Sequence, residues 1–184
     1  TYGLAESVDV SFSAPYLLNR VEGEETQKVL GDVALGLKWR FLEADALHLA
    51  VAAEIAAPTG KDEKGLGAGR TGYDATLIAE YAIGDWTAFA NAGYSYADNL
   101  ADERKNIWHT AIAAEYAFSE QWAANVEWNA ERNADASASR HPMNLATGVT
   151  FSPSEAFDLD LGYSVGLNDA ADDYALSVGV TFHF

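Results

Sequence analysis

Long runs in which large apolar residues alternate with small or polar ones constrain this chain more than any other feature. In the last such run, Tyr174, Leu176, Val178, Val180, Phe182 and Phe184 fall on one face, and Ala175, Ser177, Gly179, Thr181 and His183 on the other. The run before it sets Phe157, Leu159, Leu161, Tyr163 and Val165 against Asp158, Asp160, Gly162, Ser164 and Gly166. Val33, Leu35, Leu37, Trp39 and Phe41 likewise oppose Ala34, Gly36, Lys38 and Arg40. A period of two is the signature of a β-strand with unlike faces, and it excludes an amphipathic helix, whose period is 3.6.

The second face decides the kind of sheet. A soluble β-sandwich or a lipocalin-like barrel also alternates, but its solvated face is rich in Lys, Glu, Arg and Gln. Here that face is mostly Gly, Ala, Ser and Thr with scattered acids and amides. Small residues suit a confined lumen, where bulky side chains from opposite walls would collide. No run of 18 apolar residues occurs, so a membrane-spanning helix is not available. If the chain enters a bilayer it does so as a closed sheet, the only other structure that satisfies every backbone polar group in lipid.

The 184 residues read as one domain, 1–184. Five segments repeat one shape: an aromatic, a polar or Gly-containing turn, then a large apolar residue restarting the alternation. Their leading aromatics, Tyr2, Phe41, Tyr81, Tyr116 and Phe151, are 39, 40, 35 and 35 residues apart. That period accommodates two strands of roughly 11 residues with one short and one longer turn. The longer connections are polar and lie near 19–30, 60–72, 98–106, 133–142 and 168–173. Ten strands result: 8–18, 31–42, 46–58, 73–83, 86–97, 107–118, 121–132, 143–152, 157–167 and 174–184.

The expectation is therefore an all-β, antiparallel, up-and-down transmembrane β-barrel in the outer membrane of a Gram-negative bacterium. Short turns would gather at one end and longer charged loops at the other. Aromatics at the strand ends read as two interfacial girdles. Tyr81, Trp86, Tyr116, Trp122, Phe151 and Phe157 mark the short-turn end; Tyr94, Tyr96, Trp108, Trp128 and Tyr163 lie toward the other. An even number puts both termini on the short-turn side. Tyr2 to Val8 itself reads as a hairpin turn, so a preceding hairpin, giving twelve strands, is a second expectation.

The C-terminal stretch Tyr174–Phe184, ending on Phe, resembles the signal by which outer-membrane proteins engage the barrel-assembly machinery. Gly31–Phe41, Ala57-Pro-Thr-Gly60 and Leu66-Gly-Ala-Gly-Arg-Thr-Gly-Tyr-Asp74 are similar to the meta-pathway phenol-degradation family of outer-membrane proteins. The similarity is one of pattern and runs through nearly the whole chain. It implies a barrel proposed to pass small, often aromatic, molecules. It does not fix a substrate, because function lives in sites rather than folds.

Alternation places Asp9, Lys38, Arg40, His48, Glu54, Asp74, Glu80, Asn91, His109, Glu115, Asn125, Glu127, Asn129, Asn144, Asp158, Asp160 and His183 in the lumen. Eight carboxylates against Lys38 and Arg40 read as a net-negative passage that favours cations. The competing reading is an interior merely filled by paired side chains, since ten strands lie between a filled barrel and an open pore. A net charge of -17 with only 11 Lys and Arg excludes nucleic acid as a partner. The absence of Cys removes disulfides, thiolate metal sites and Cys nucleophiles.

No catalytic, cofactor or metal site emerges. His48 and Glu54, like His109 and Glu115, are six residues apart on one strand, roughly 20 Å, and cannot act together directly. A lipid hydrolase would need a cross-strand pair. The acidic stretch 168–173 could hold Ca²⁺ only loosely. The glycine-rich stretch 65–72 precedes a strand rather than a helix and so is no phosphate cradle. The partners expected are outer-membrane lipid and small solutes. The remaining alternative is a structural barrel that docks or sheathes another component.

Overall fold

A computed structural model describes residues 1–19, 27–61, 67–98 and 103–183. Its strands are β1 (Tyr2–Ala5), β2 (Val8–Ser13), β3 (Tyr16–Asn19), β4 (Gln27–Leu30), β5 (Val33–Ala44), β6 (Leu47–Ala57) and β7 (Gly72–Ile83). They continue with β8 (Trp86–Ala97), β9 (Asn106–Ser119), β10 (Trp122–Glu131), β11 (Met143–Ser154), β12 (Phe157–Gly166) and β13 (Tyr174–Phe182). Eleven of these form one sheet in the order β1-β2-β5-β6-β7-β8-β9-β10-β11-β12-β13, each antiparallel to its neighbours, while β3 and β4 pair separately. The fold is all-β, up-and-down and barrel-like.

Each short connection is a two-residue turn, which ties neighbouring strands in fixed register. Asp45 and Gly84 occupy the left-handed region, φ 39° and 60°. Gly adopts it without steric cost, and Asp is among the few other residues that visit it. Twelve consecutive pairs then join β7 and β8 without a bulge. Strands of 10 to 14 residues dominate from β5 to β12.

The strands differ from the ten read from sequence in two respects, both in the N-terminal part. Tyr2–Ala5, read there as part of a turn, is itself a strand paired with β2, the turn proper being Glu6 and Ser7. The alternation also predicts a single strand over 8–18, whereas β2 ends at Ser13 and a new strand begins at Tyr16. Pro15 lies between them; it has no N–H to give to a ladder, and its carbonyl accepts from the Gly31 N–H. The first long connection thus contains the β3–β4 hairpin. The other strands agree with their predicted bounds to within a few residues. Phe184 and parts of the 19–30, 60–72 and 98–106 connections lie outside the described residues.

Since the strands alternate in direction, the edge strands β1 and β13 run parallel. Thr1, Tyr2 and Gly3 share a cleft of about 390 Å³ with Phe182 and His183, so the two edges approach one another. No backbone ladder joins them among the described residues.

The packing is inverted relative to a soluble domain. Among the described residues only Ala50 and Ala130 are buried apolar residues, at 8% and 6% exposure. Large apolar side chains stand on the outer face of the strands from end to end, Leu77 at 54% and Val178 at 79% exposed. The register keeps them in continuous rows: Val51, Leu77 and Ala92 are direct partners across β6, β7 and β8. Near the short turns, aromatic neighbours touch across strands: Trp86–Tyr116 at 4.7 Å, Trp122–Phe151 at 4.4 Å and Phe157–Phe182 at 5.2 Å between ring centroids. Such pairs contribute about 0.5–1.5 kcal/mol each beyond their burial.

Candidate functional site: the polar inner face

The opposite face carries the polar set. Asp9 on β2 lies directly across from Lys38 on β5, and the two form an ion pair at 3.0 Å. One strand further on, Glu54 on β6 is the direct partner of Asp74 on β7. Asp9, Ser11, Lys38, Glu54 and Asp74 together line an inner-face cavity of about 270 Å³. Like charges placed opposite each other repel, and Asp74 is relieved by neighbours while Glu54 has no ion-pair partner among the described residues.

Asp74 is the most heavily bonded of these groups. Thr76 donates to its Oδ1 at 2.8 Å, Ser95 to its Oδ2 at 2.7 Å, and His109 Nε2 meets the same Oδ2 at 2.8 Å. His109 reaches from β9 across β8 to β7. It can do so because the intervening position is Gly93, where a Cβ would collide with the His109 ring and with Thr76 Oγ1. The serine and the histidine both address the carboxylate rather than each other. The arrangement therefore fixes a charge in place and does not activate a hydroxyl for attack.

A second His–carboxylate pair, His48 Nδ1 with Glu80 at 3.2 Å, joins β6 to β7. A third, His183 Nε2 with Asp158 at 2.7 Å, joins the residue that follows β13 to β12 near the short-turn end. Arg40 pairs with Glu43 at 3.0 Å and donates to the Glu6 carbonyl at 2.8 Å. A bulge between Arg40 and Leu42 sets both ionic residues on the inner side.

On the far wall, Asn129 donates to Glu127 at 3.0 Å, Asn144 to Asn129 at 3.1 Å and Thr150 to Asp160 at 2.8 Å. With Asn125 these groups line an inner-face cavity of about 430 Å³. Gly148 and Gly179 lie beneath Asn125 and Asp160, respectively. The sequence matches the family model described as "Putative MetA-pathway of phenol degradation" over residues 1–184. The chain belongs to that family. No curated protein matches it.

In this member of the phenol-degradation family the remaining predicted residues stand in register with the polar set. Asn91 lies opposite Ile78 and Ala111, and Glu115 opposite Thr87 and Asn125. The structure thus brings Asp9, Lys38, Glu54, Asp74 and His109 into one group and Asn125, Glu127, Asn129, Asn144 and Asp160 into another, with His48, Glu80 and Arg40 around an adjoining cavity of about 290 Å³ that Asp9 and Lys38 also line. Asp158 and His183 stand apart from all three groups.

Phe89 and Ile78 were not among the site residues read from the sequence, yet both stand on the inner face. Phe89 lies directly opposite Glu80 and Ala113, and Ile78 opposite Ala50 and Asn91. The signal was present in parity, since Phe89 shares its face with Thr87, Asn91 and Ser95. Weighing hydropathy alone overlooks an aromatic on a polar face.

At the long-loop end the 132–142 connection is held by its neighbours. Arg104 donates to the carbonyls of Asn133 at 2.9 Å and Ala136 at 2.8 Å, and Arg140 pairs with Asp169 at 2.7 Å. Within it, the Ser137 hydroxyl and N–H both donate to Asp135 Oδ1 at 2.7 Å. Those donors, the hydroxyl first, hold the Asp135 carboxyl below its ordinary value of 3.8. A depressed carboxyl pKa means the contribution is present above the ordinary value and is lost as pH falls through the folded one. Carbon-13 NMR of the Asp135 carboxylate should show titration below 3.8, moving upward in Ser137→Ala. Identical titration in both proteins would refute the role given to the hydroxyl.

Proposed function

We propose that this chain is a barrel of the Gram-negative outer membrane that lets small molecules pass along its polar interior, with weak preference for cations. The observation carrying this reading is the inverted packing: apolar rows face outward, and ionisable groups stand on the inner face. An outer surface of this kind is compatible with hydrocarbon and costly in water. Strands of about 11 residues, tilted by about 45°, match the hydrocarbon thickness.

Passage rather than catalysis fits the inner face. Its carboxylates outnumber Lys38 and Arg40, and rings of carboxylates favour cations. Phe89 and Ile78 add apolar contact to that polar wall, which suits solutes with an aromatic or hydrophobic part. The family description, with its reference to phenol degradation, supports aromatic solutes among them. Outer-membrane lipid is the surrounding partner, and the barrel-assembly machinery would read the strand ending at Phe184.

Reconstitution in planar bilayers under a KCl gradient tests the proposal. A reversal potential on the cation side is expected, and Glu54→Gln with Glu127→Gln should move it toward zero. An anion-selective potential would overturn the charge argument. Absence of both conductance and small-molecule uptake by liposomes would leave a structural, non-conducting barrel.

A further inference from the structure

Glycine weakens a strand, because it packs nothing and loses the most backbone freedom on folding. Five strand glycines of the inner face each lie directly across from a polar residue. Gly36 faces Ser11, Gly93 faces His109, Gly148 faces Asn125, Gly162 faces Ser177 and Gly179 faces Asp160. In all five pairs the partner's side chain crowds the point where a Cβ would stand on the glycine. Both terminal atoms of the Asn125 amide, for instance, lie 3.1 and 3.2 Å from that point on Gly148. A side chain that reaches over its neighbour's Cα lies along the wall, not across the interior.

The arrangement is densest on β10 to β13. One row across these strands reads Asn125, Gly148, Gly162 and Ser177, and its two polar side chains fold toward each other over the glycine pair. In the next row Asp160 has Thr150 on one side and Gly179 on the other. Its Oδ1 accepts from the Thr150 hydroxyl at 2.8 Å, while its Oδ2 reaches over Gly179. The carboxylate is thus spread along the wall. The inner-face cavity of about 430 Å³ lies over these residues. Ile78 and Phe89 have no such floor to fold onto: Ile78 faces Ala50 and Asn91, and Phe89 faces Glu80 and Ala113.

On the reading of the chain as a passage, we infer that these glycines hold the polar side chains flat, keep the bore open along β10 to β13, and so set the largest solute that passes. An interior filled by side chains would instead need groups from opposite walls to meet near the axis. Asn125 and Asp160 are the positioned groups, and Gly148 and Gly179 are the residues that position them. A methyl added at either glycine has to lift the polar side chain toward the axis. The ladder fixes neighbouring strands about 4.8 Å apart, so neither backbone can retreat.

Liposome swelling with uncharged solutes of rising size, from glycerol through a pentose and a hexose to a disaccharide, measures that limit. Gly148→Ala and Gly179→Ala should each lose uptake of the largest solute that the wild-type protein admits, while still admitting glycerol. Combining Asn125→Ala with Gly148→Ala should restore it, since no amide is then displaced. Gly72→Ala should keep the wild-type limit, because its Cβ would meet only the Ala56 and Ala97 methyls and a carbonyl oxygen, at 3.6 Å or more. Heat-modifiable migration on a gel shows that each variant is folded. An unchanged limit in both folded glycine variants would overturn the role of the glycines and leave passage itself intact. A limit that stays lowered in the double variant would equally overturn it. A wild-type protein that admits no solute of the series would overturn the passage reading and this one together. The geometry is tested apart from passage by NMR of the whole chain in detergent micelles. The Asn125 side-chain amide protons should give a strong nuclear Overhauser effect to the Gly148 Hα protons, and its absence would overturn the inference even where a variant fails to fold.

Discussion

On the proposed outer-membrane reading, Leu77→Arg should lower the stability of the vesicle-reconstituted protein by about 2–4 kcal/mol, the cost of a cation at the middle of a lipid-facing strand. Leu77 is the sixth of the twelve residues of β7 and is 54% exposed, with Val51 and Ala92 as its neighbours on the outer face. If that face met water, replacing a half-exposed leucine by arginine would change stability by no more than about 0.5 kcal/mol. The two readings thus differ several-fold for one substitution. Denaturant titration in phospholipid vesicles, followed by tryptophan fluorescence, measures the difference. A change below about 1 kcal/mol in vesicles would contradict the lipid-facing assignment, since no other term offsets the burial of a guanidinium in hydrocarbon.

Gly93→Ala should destabilise the protein by about 1–2 kcal/mol, although alanine ordinarily improves a strand glycine. Relief of glycine's backbone entropy favours the substitution by about 0.5–1 kcal/mol. Against it, the new methyl enters the space taken by the His109 ring and Thr76 Oγ1. The ring must then leave Asp74 and give up a charge-assisted hydrogen bond, about 1.5–3 kcal/mol. The second effect is larger. Gly72→Ala in the same strand sheet is the control, because its nearest side-chain atom, the Ala56 Cβ, lies at an ordinary 3.6 Å. That variant should be neutral or slightly stabilising. In a His109→Ala background the Gly93→Ala penalty should shrink, and an unchanged penalty would show that His109 is not what the glycine accommodates.

These two positions mark how far the sequence could be read. Leu77 is assigned to the outer face by parity alone, because a strand's side chains alternate whatever its neighbours are. The same reasoning placed Asp74, Glu80 and His109 on the inner face without knowledge of any pairing. It could not say that His109 meets Asp74 rather than Glu115, nor that His48 meets Glu80 rather than Glu54. Partners six residues away on one strand are too distant, and partners on other strands depend on register, which is accumulated through each successive turn. Gly93, a small residue facing inward between them, was visible as a gap but not as the gap for a particular ring.

The ends of the strands were harder for a different reason. Pro15 divides one alternating run into β2 and β3, and Tyr2–Ala5 is a strand where the pattern, too short to show a period, reads as a turn. The cover that the 132–142 connection places over Ala130 has no signature in the sequence. Trp108 and Trp128 read as interfacial aromatics, and only the bracing of that loop by Arg104 and Asn168 bends it over them.

The sequence by itself determined the period, the two faces, the positions of the tight turns and the family. Each of these is set within a few residues of chain by side-chain direction and turn chemistry. The tertiary structure alone decided which carboxylate each histidine holds, where the inner cavities lie and which outer position is covered. Those depend on contacts between residues tens of positions apart, whose meeting is fixed by register and loop packing rather than by any local pattern.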